Sequence, residues 1–287
     1  MSIALGAVFV LVSVFGGFVA AGGPLSVIIQ PVEWAIILGA AFGGVLISTP
    51  PGLLRRLGRE LLRAARGARG RGDEHMQLLR LLYELFINAK KHGAIALERD
   101  IEHPAQSDLF QRAPGVLHHA AALRFLRDSF RMVIDGGASP LDLELLMDRE
   151  IETHAEHARK PALVLVRLAD TLPGLGIVAA VLGVVIAMQS LDGTTAEIGH
   201  HVAVALVGTF FGVFLAYGLV NPLAVLLEHV VERDLVTLAC IKGALIAFAK
   251  GLPPAMAVEF ARRVIPEDER PSPEATEAAL RDLVPRP

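Results

Sequence analysis

The sequence predicts an all-α integral membrane protein: four transmembrane helices, a large helical cytoplasmic insert between helices 2 and 3, and a helical cytoplasmic tail. Three observations predict it. The 287 residues are 53% hydrophobic and 20% charged, with a mean hydropathy of +0.51, too apolar for an ordinary soluble domain. Four runs approach the roughly 20 apolar residues that a bilayer-spanning helix needs. Nowhere does the apolar–polar alternation of a half-buried strand persist.

The first run covers about 3–21 (IALGAVFVLVSVFGGFVAA). It lacks the basic start and the cleavage site of a secretory signal and is read as a retained helix. The second, about 34–49, is short and glycine-rich. Beyond it, segment 51–72 carries Arg55, Arg56, Arg59, Arg63, Arg66, Arg69 and Arg71, whereas loops 22–33 and 191–201 hold no Lys or Arg. The positive-inside rule then places 50–165 and the C-terminal tail in the cytoplasm, with both termini cytoplasmic and the two short loops outside. The arginine run is a topology signal and also suits anionic membrane lipids.

The insert reads as helices. In HMQLLRLLYELFINAKKHG, Leu78, Leu79, Leu82, Leu85 and Phe86 follow helical spacing, and Gly93 interrupts. AIALERDIEHP resumes and stops at Pro104. A further helix fits about 115–135, ending at Gly136 and Gly137. Another begins at Ser139-Pro140, a cap residue followed by a first-turn proline, and runs on towards the third apolar run with no strong breaker before Pro161 and Pro173. Two short tail helices are set off by prolines. The expected divisions are 1–49, 50–160, 161–228 and 229–287.

The third and fourth runs, about 172–190 and 202–228, are rich in glycine and alanine, with a small-xxx-small pattern at Gly208–Gly212. Small residues let helices approach closely in lipid, within this hairpin or against another subunit. No Asp, Glu, Lys or Arg lies between Thr171 and Leu191 or between Val202 and Leu227. An ion path normally needs a membrane carboxylate, so a partner must supply it. Thr209 is the most central hydroxyl, open to an ion-path role or to bonding its own i−4 carbonyl. Tyr217 is a polar partner or packing. Asp170 is a cap or anchor at the cytoplasmic mouth, or a proton acceptor there. Pro173 and Pro222 sit at the cytoplasmic ends of antiparallel runs; similar depth, and a paired bend, are expected.

Enzyme chemistry finds no support: no P-loop, HExxH, GxSxG or dinucleotide fingerprint occurs. Glu150, His154 and His157 have helix-face spacing suited to a metal, but a solvated charged face accounts for them. His118-His119 and His200-His201 have no complementary ligands nearby in sequence. Cys240 is the only cysteine, so no internal disulfide or cysteine-based metal site exists. The net charge of −3 argues against nucleic acid. Lys90 and Glu98, eight residues apart with Gly93 between them, are suited to steering a charged surface.

Several stretches resemble the flagellar motor stator A-subunit family, within the wider MotA/TolQ/ExbB proton-channel group. They are VFGGFVAAGGPLSVIIQPVEWAIILGAAFGG, KKHGAIALERDIEHP (90–104), LELLMDREIETH (143–154), LPGLGIVAAVLGVV (172–185), VGTFFGVFLAYGLVNPLA (207–224) and PPAMAVEFARRVIPEDERPS (253–272). The resemblance implies an inner-membrane stator subunit, five around two single-pass B subunits that carry the membrane aspartate. It implies that proton flow is converted into torque, with no cofactor. It further implies that Pro173 and Pro222 couple ion flow to the cytoplasmic part, that Thr209 lies on the channel, and that Lys90 and Glu98 engage the rotor's switch-complex protein. The family's usual arginine is Lys90 here, followed by Lys91, so charge is kept without the guanidinium fork. Ala180 stands where sodium-driven relatives have a hydroxyl, which favours protons over sodium. A TolQ/ExbB-like energiser of an envelope process is the alternative; four membrane helices and the Lys90/Glu98 segment favour the motor.

Overall fold

Apolar runs too long for a turn and too poor in breakers for a loop become helices, and here they extend beyond the runs themselves. The computed structural model describes residues 2–65, 71–189 and 194–283, and every regular element among them is helical. Four of these helices are long and apolar enough to cross a membrane: Ile3–Ala20, Leu25–Ser48, Pro140–Met188 and Gly199–Ala249. By contacts the chain divides into two units, Met1–Gly67 with Ala158–Val230, and Ala68–His157 with Val231–Pro287.

In the first unit, α1 (Ser2–Leu11) passes through a π-helical turn, Val12–Gly16, into α2 (Gly17–Ala20). Gly22, at φ +86°, ends this span in a conformation that L side chains rarely adopt. A short α3 (Leu25–Ile28) leads to α4 (Pro31–Ser48), which opens with proline in its first turn, where the missing N–H costs nothing. The second membrane helix therefore begins before residue 34 and takes in Glu33, which is 8% exposed. α5 (Pro51–Ala65) follows at once.

The next long helix departs from expectation. α11 (Pro140–Met188) runs for 49 residues with both Pro161 and Pro173 inside it. An interior proline costs about 3 kcal/mol or more, yet neither ends the helix. Packing on both sides overrides that local penalty: Ala162 and Leu165 are buried in one apolar cluster, Leu172 and Ala179 in another. α12 (Thr195–Leu215) starts from a capping box in which Thr194 and Glu197 bond each other's backbone N–H. It continues through a second π-helical turn, Ala216–Val220, into α13 (Asn221–Ala249). The π turn ends two residues before Pro222, whose absent N–H would otherwise leave the Gly218 carbonyl without a helical donor.

The second unit is built around α6 (Arg71–His92). Leu78, Leu79, Leu82, Leu85 and Phe86 of that helix are 0–1% exposed, each worth about 1.5–3 kcal/mol of burial. Phe86 stacks on Phe248 at 4.5 Å and on Phe130 at 6.4 Å between ring centroids. Short helices α7 (Glu98–Glu102), α8 (Asp108–Gln111) and α9 (Pro114–Leu117) precede α10 (Ala120–Asp135). The single helix expected over 115–135 is thus split at His118-His119. His119 caps α10, its Nδ1 accepting from the Ala122 N–H, while its Nε2 donates to Asp234 at 3.0 Å. A cap that also reaches a carboxylate 115 residues away in sequence is a tertiary feature.

α14 (Pro254–Val264) and α15 (Pro273–Arg281) form the tail. Glu259 is gripped by Arg262 at 2.7 Å and Arg263 at 2.8 Å. The Arg262 hydrogen bond, helped by Arg263, pulls its carboxyl down to about 2 from 4.5. A depressed carboxyl stabilises above its unfolded value and loses that contribution as pH falls towards the folded one. Glu259→Gln should therefore lower the thermal midpoint of the solubilised chain at neutral pH, and the difference from wild type should shrink between pH 4.5 and about 2. A pH-independent difference would assign the effect to packing.

Candidate functional site

The first candidate site is the seam between α11 and α12, and glycines make it. A Cβ placed on Gly176 would lie 2.8 Å from the Gly208 carbonyl oxygen and 3.3 Å from the Thr209 Cα. One on Gly212 would lie 2.6 Å from the Leu172 carbonyl oxygen and 2.9 Å from the Gly176 Cα. One on Gly183 would meet Ala205 at 2.9 Å, and one on Gly208 the Ala180 nitrogen at 3.2 Å. The two backbones touch along this line, as small residues permit in lipid. Thr209 and Ala180 flank the same crossing, and Pro173 adjoins Leu172 at its end.

The Thr209 side chain is half-buried and makes no hydrogen bond among the described residues. The i−4 back-bond considered for it is absent. Thr171, by contrast, donates to the Leu168 carbonyl at 2.9 Å. The exposed Asp170 forms no ion pair among the described residues. Tyr217 lies inside the second π turn and is 62% exposed.

The prolines are not at one depth. Gly183 faces Ala205, Gly176 faces Gly208 and Gly212, and Leu172 faces Gly212; further along, Ala162 and Leu165 cluster with Ala224 and Leu227. Pro222 is therefore level with the turn at Ala162–Leu165, about eight residues from Pro173, or on the order of 12 Å along the axis. The prolines lie near the cytoplasmic ends of their apolar runs, but the helices continue beyond those ends, so nearness to a run end does not measure depth.

The second candidate site lies in the second unit. Gly93, at φ +84°, breaks the helix after α6. Lys90 and Lys91 stand in the last turn of α6, and Glu98 opens α7; all three are exposed and form no ion pair among the described residues. The connecting segment is firmly held. Leu97 and Ile101 are 2% and 0% exposed, Arg127 donates to the Ile101 carbonyl at 2.8 Å, and Arg131 to Glu102 at 2.9 Å. Cations and carboxylate are thus displayed on a fixed edge. Glu150, His154 and His157 line a cavity of about 600 Å³ with Arg124 and Arg149. Burial, then Asp128, pushes the Glu150 carboxyl up, against a lowering by Arg124. No group of three His, Cys, Asp or Glu among the described residues is arranged to hold a metal.

Comparison with known proteins decides the family. Residues 4–93 match the profile described as Motility protein A N-terminal, and residues 118–239 that of the MotA/TolQ/ExbB proton channel family. Motility protein A of Salmonella typhimurium (strain LT2) is 40% identical over 272 residues, covering 95% of this chain and 92% of the relative. The chain belongs to the motility protein A family. The family member of Escherichia coli (strain K12) shares the same 40% identity and coverage. Chemotaxis protein LafT of Vibrio parahaemolyticus is 38% identical, over 93% of this chain and 94% of LafT. Among solved structures, the Campylobacter jejuni MotAB structure matches with a TM-score of 0.77 at 23% identity, covering 95% of this chain and 98% of that one.

The resemblance read from the sequence is borne out, as is the helical architecture. Two features of this motility protein A chain escaped the sequence reading. Glu33 is a buried carboxylate in the first turn of α4, beside Trp34, which stacks on Phe211 at 5.0 Å. Its signal is an acidic residue abutting an apolar run, and the helix starts ahead of that run. Each π turn packs against the helix leading into the other: Phe15, in the first, lies edge-on to Phe214 of α12 at 5.4 Å, and a Cβ on Gly218, in the second, would meet Val10 of α1 at 3.3 Å. Only the second π turn had a signal, Pro222.

Proposed function

We propose that this chain is the A subunit of a flagellar stator. With a single-pass B subunit it forms a proton channel that turns proton-motive force into torque on the rotor. The observation that carries this reading is the Gly176/Gly208/Gly212 seam, where an unbonded Thr209 hydroxyl lies at a level that offers no carboxylate of the chain's own. Such a seam is half of an ion path. The B subunit completes it with a membrane aspartate, and the two solved relatives named for MotAB complexes, from Campylobacter jejuni and Bacillus subtilis, support that partnership.

In this reading five A subunits surround two B subunits in the inner membrane, with membrane lipids around them. Both termini are cytoplasmic, following the arginine asymmetry. The proton is the transported ion, and Ala180 in place of a hydroxyl disfavours sodium. Thr209, with Tyr217 and Asp170 towards its cytoplasmic end, serves the path; Pro173 and Pro222 couple it to the cytoplasmic helices. Lys90, Lys91 and Glu98 meet the rotor's switch-complex protein. The N-terminal match over 4–93 favours the stator over the TolQ/ExbB-like energiser.

The test separates the two sites. Deleting the gene should abolish swimming, and complementation should restore it. In the complemented strain, Thr209→Val should cut proton conductance along with swimming. Lys90→Glu should cut torque and leave conductance intact. Motility that stops on sodium removal and survives an uncoupler, or a Lys90→Glu variant that loses conductance, would contradict the assignment.

A further inference from the structure

We infer that α5 is a membrane-surface anchor whose arginines bind the phosphates of anionic phospholipid headgroups. α5 starts three residues after α4 ends, with only Thr49 and Pro50 between. Its 15 residues carry three distinct faces. At about 100° per residue, Leu57, Leu61 and Ala64 fall within an arc of about 60°. These are the residues packed against the cluster of Ala162, Leu165, Ala224 and Leu227. Arg55, Arg56, Arg59 and Arg63 fall on the opposite side, within an arc of about 100°. Between the two, Leu62 is 59% exposed. The helix is thus bound to protein on one face, offers leucine on the next and concentrates cations on the third.

One of those cations is partnered within the chain. Arg63 approaches Glu60 at 3.7 Å, a pairing along the helix surface. Arg55, Arg56 and Arg59 form no ion pair among the described residues. A guanidinium fork matches phosphate oxygens two at a time. A zwitterionic headgroup offers phosphate with its own ammonium attached; an anionic one leaves the charge for the protein. An exposed leucine beside the arginines fits the boundary between acyl chains and headgroups, where long basic side chains reach outward over an apolar edge. A soluble acidic partner would use the arginines and leave that leucine in water.

This inference adds a lipid contact to the stator reading and rests on it only for which leaflet is involved. The test uses the full chain in phosphatidylcholine vesicles doped with spin-labelled phosphatidylglycerol or spin-labelled phosphatidylcholine. The motionally restricted fraction reads binding. Both leaflets carry the same lipid, so headgroup selectivity is read whichever way the chain inserts; a failed topology and a failed lipid site give different results. Wild type should prefer phosphatidylglycerol, and the preference should fall with added salt. R55Q/R56Q/R59Q should lower that preference about fivefold or more, the effect of one basic side chain near an anionic surface. R55K/R56K/R59K, keeping the charge, should retain most of it. Equal restriction of the two lipids by wild type, or a preference that survives both high salt and the glutamine triple, overturns the inference. The salt series needs no variant, so it decides even if the glutamine triple fails to fold.

Discussion

Gly212→Val is expected to force α11 and α12 apart and to lower both the thermal midpoint of the solubilised chain and its yield in assembled stators. The added Cβ would sit 2.6 Å from the Leu172 carbonyl oxygen and 2.9 Å from the Gly176 Cα. Both obstacles are backbone, so no rotamer change relieves the clash. In lipid the helices gain no hydrophobic free energy from each other, and association depends on close contact. A radial gap of about 0.5–1 Å forfeits a quarter to a half of each dispersion well, and overpacking of this kind costs about 1–3 kcal/mol or more. Gly174→Ala is the control: it lies on the facing helix, α11, and a Cβ there meets nothing within 4 Å. It should leave the midpoint unchanged or raise it. A Gly212→Val chain that melts and assembles like wild type would mean the seam opens without cost.

Pro173→Ala is expected to do the reverse: leave folding and assembly intact and abolish swimming. The helix already runs unbroken through this position. Alanine would supply the N–H that the carbonyl of buried Ala169 lacks, and the helix would become more regular and stiffer. A stability loss would mark Pro173 as a packing residue; normal swimming would remove it from coupling. The offset between the prolines adds a sharper expectation. Because Pro222 lies about eight residues away in level, on the order of 12 Å, the two prolines act at separate points. Partial-loss variants at the two positions should therefore combine nearly additively in motor speed at fixed load, since sites more than about 7–10 Å apart without shared partners usually do. Strong non-additivity would restore a single hinge.

These residues mark how far the sequence can be read. Helix existence was legible because apolar length and 3.6-residue spacing are local properties. Leu78, Leu79, Leu82, Leu85 and Phe86 were assigned to one face, and that face is buried. Gly93 and Gly136 were read as stops, and both take positive φ. The carboxylate-free third and fourth runs pointed to a partner before any fold was known. The depth of the prolines was not legible, because depth depends on helix register and not on where an apolar run stops. His119 was not legible as a cap, because its second partner, Asp234, is remote in sequence.

By itself, the sequence determined the number of membrane helices, the family, and the small residues that any seam would have to use. Each of these follows from composition and short-range spacing, which need no knowledge of neighbours. Tertiary structure alone decided that Pro161 and Pro173 stay inside one helix, that Thr209, beside Gly176, makes no side-chain hydrogen bond among the described residues, that each π turn packs against the helix leading into the other, and that α5 turns its arginines away from its packed face. The physical reason is the same throughout. A proline's penalty, a hydroxyl's partner and a helix's free face are settled by packing from distant parts of the chain, which outweighs local preference where contacts are close and dry.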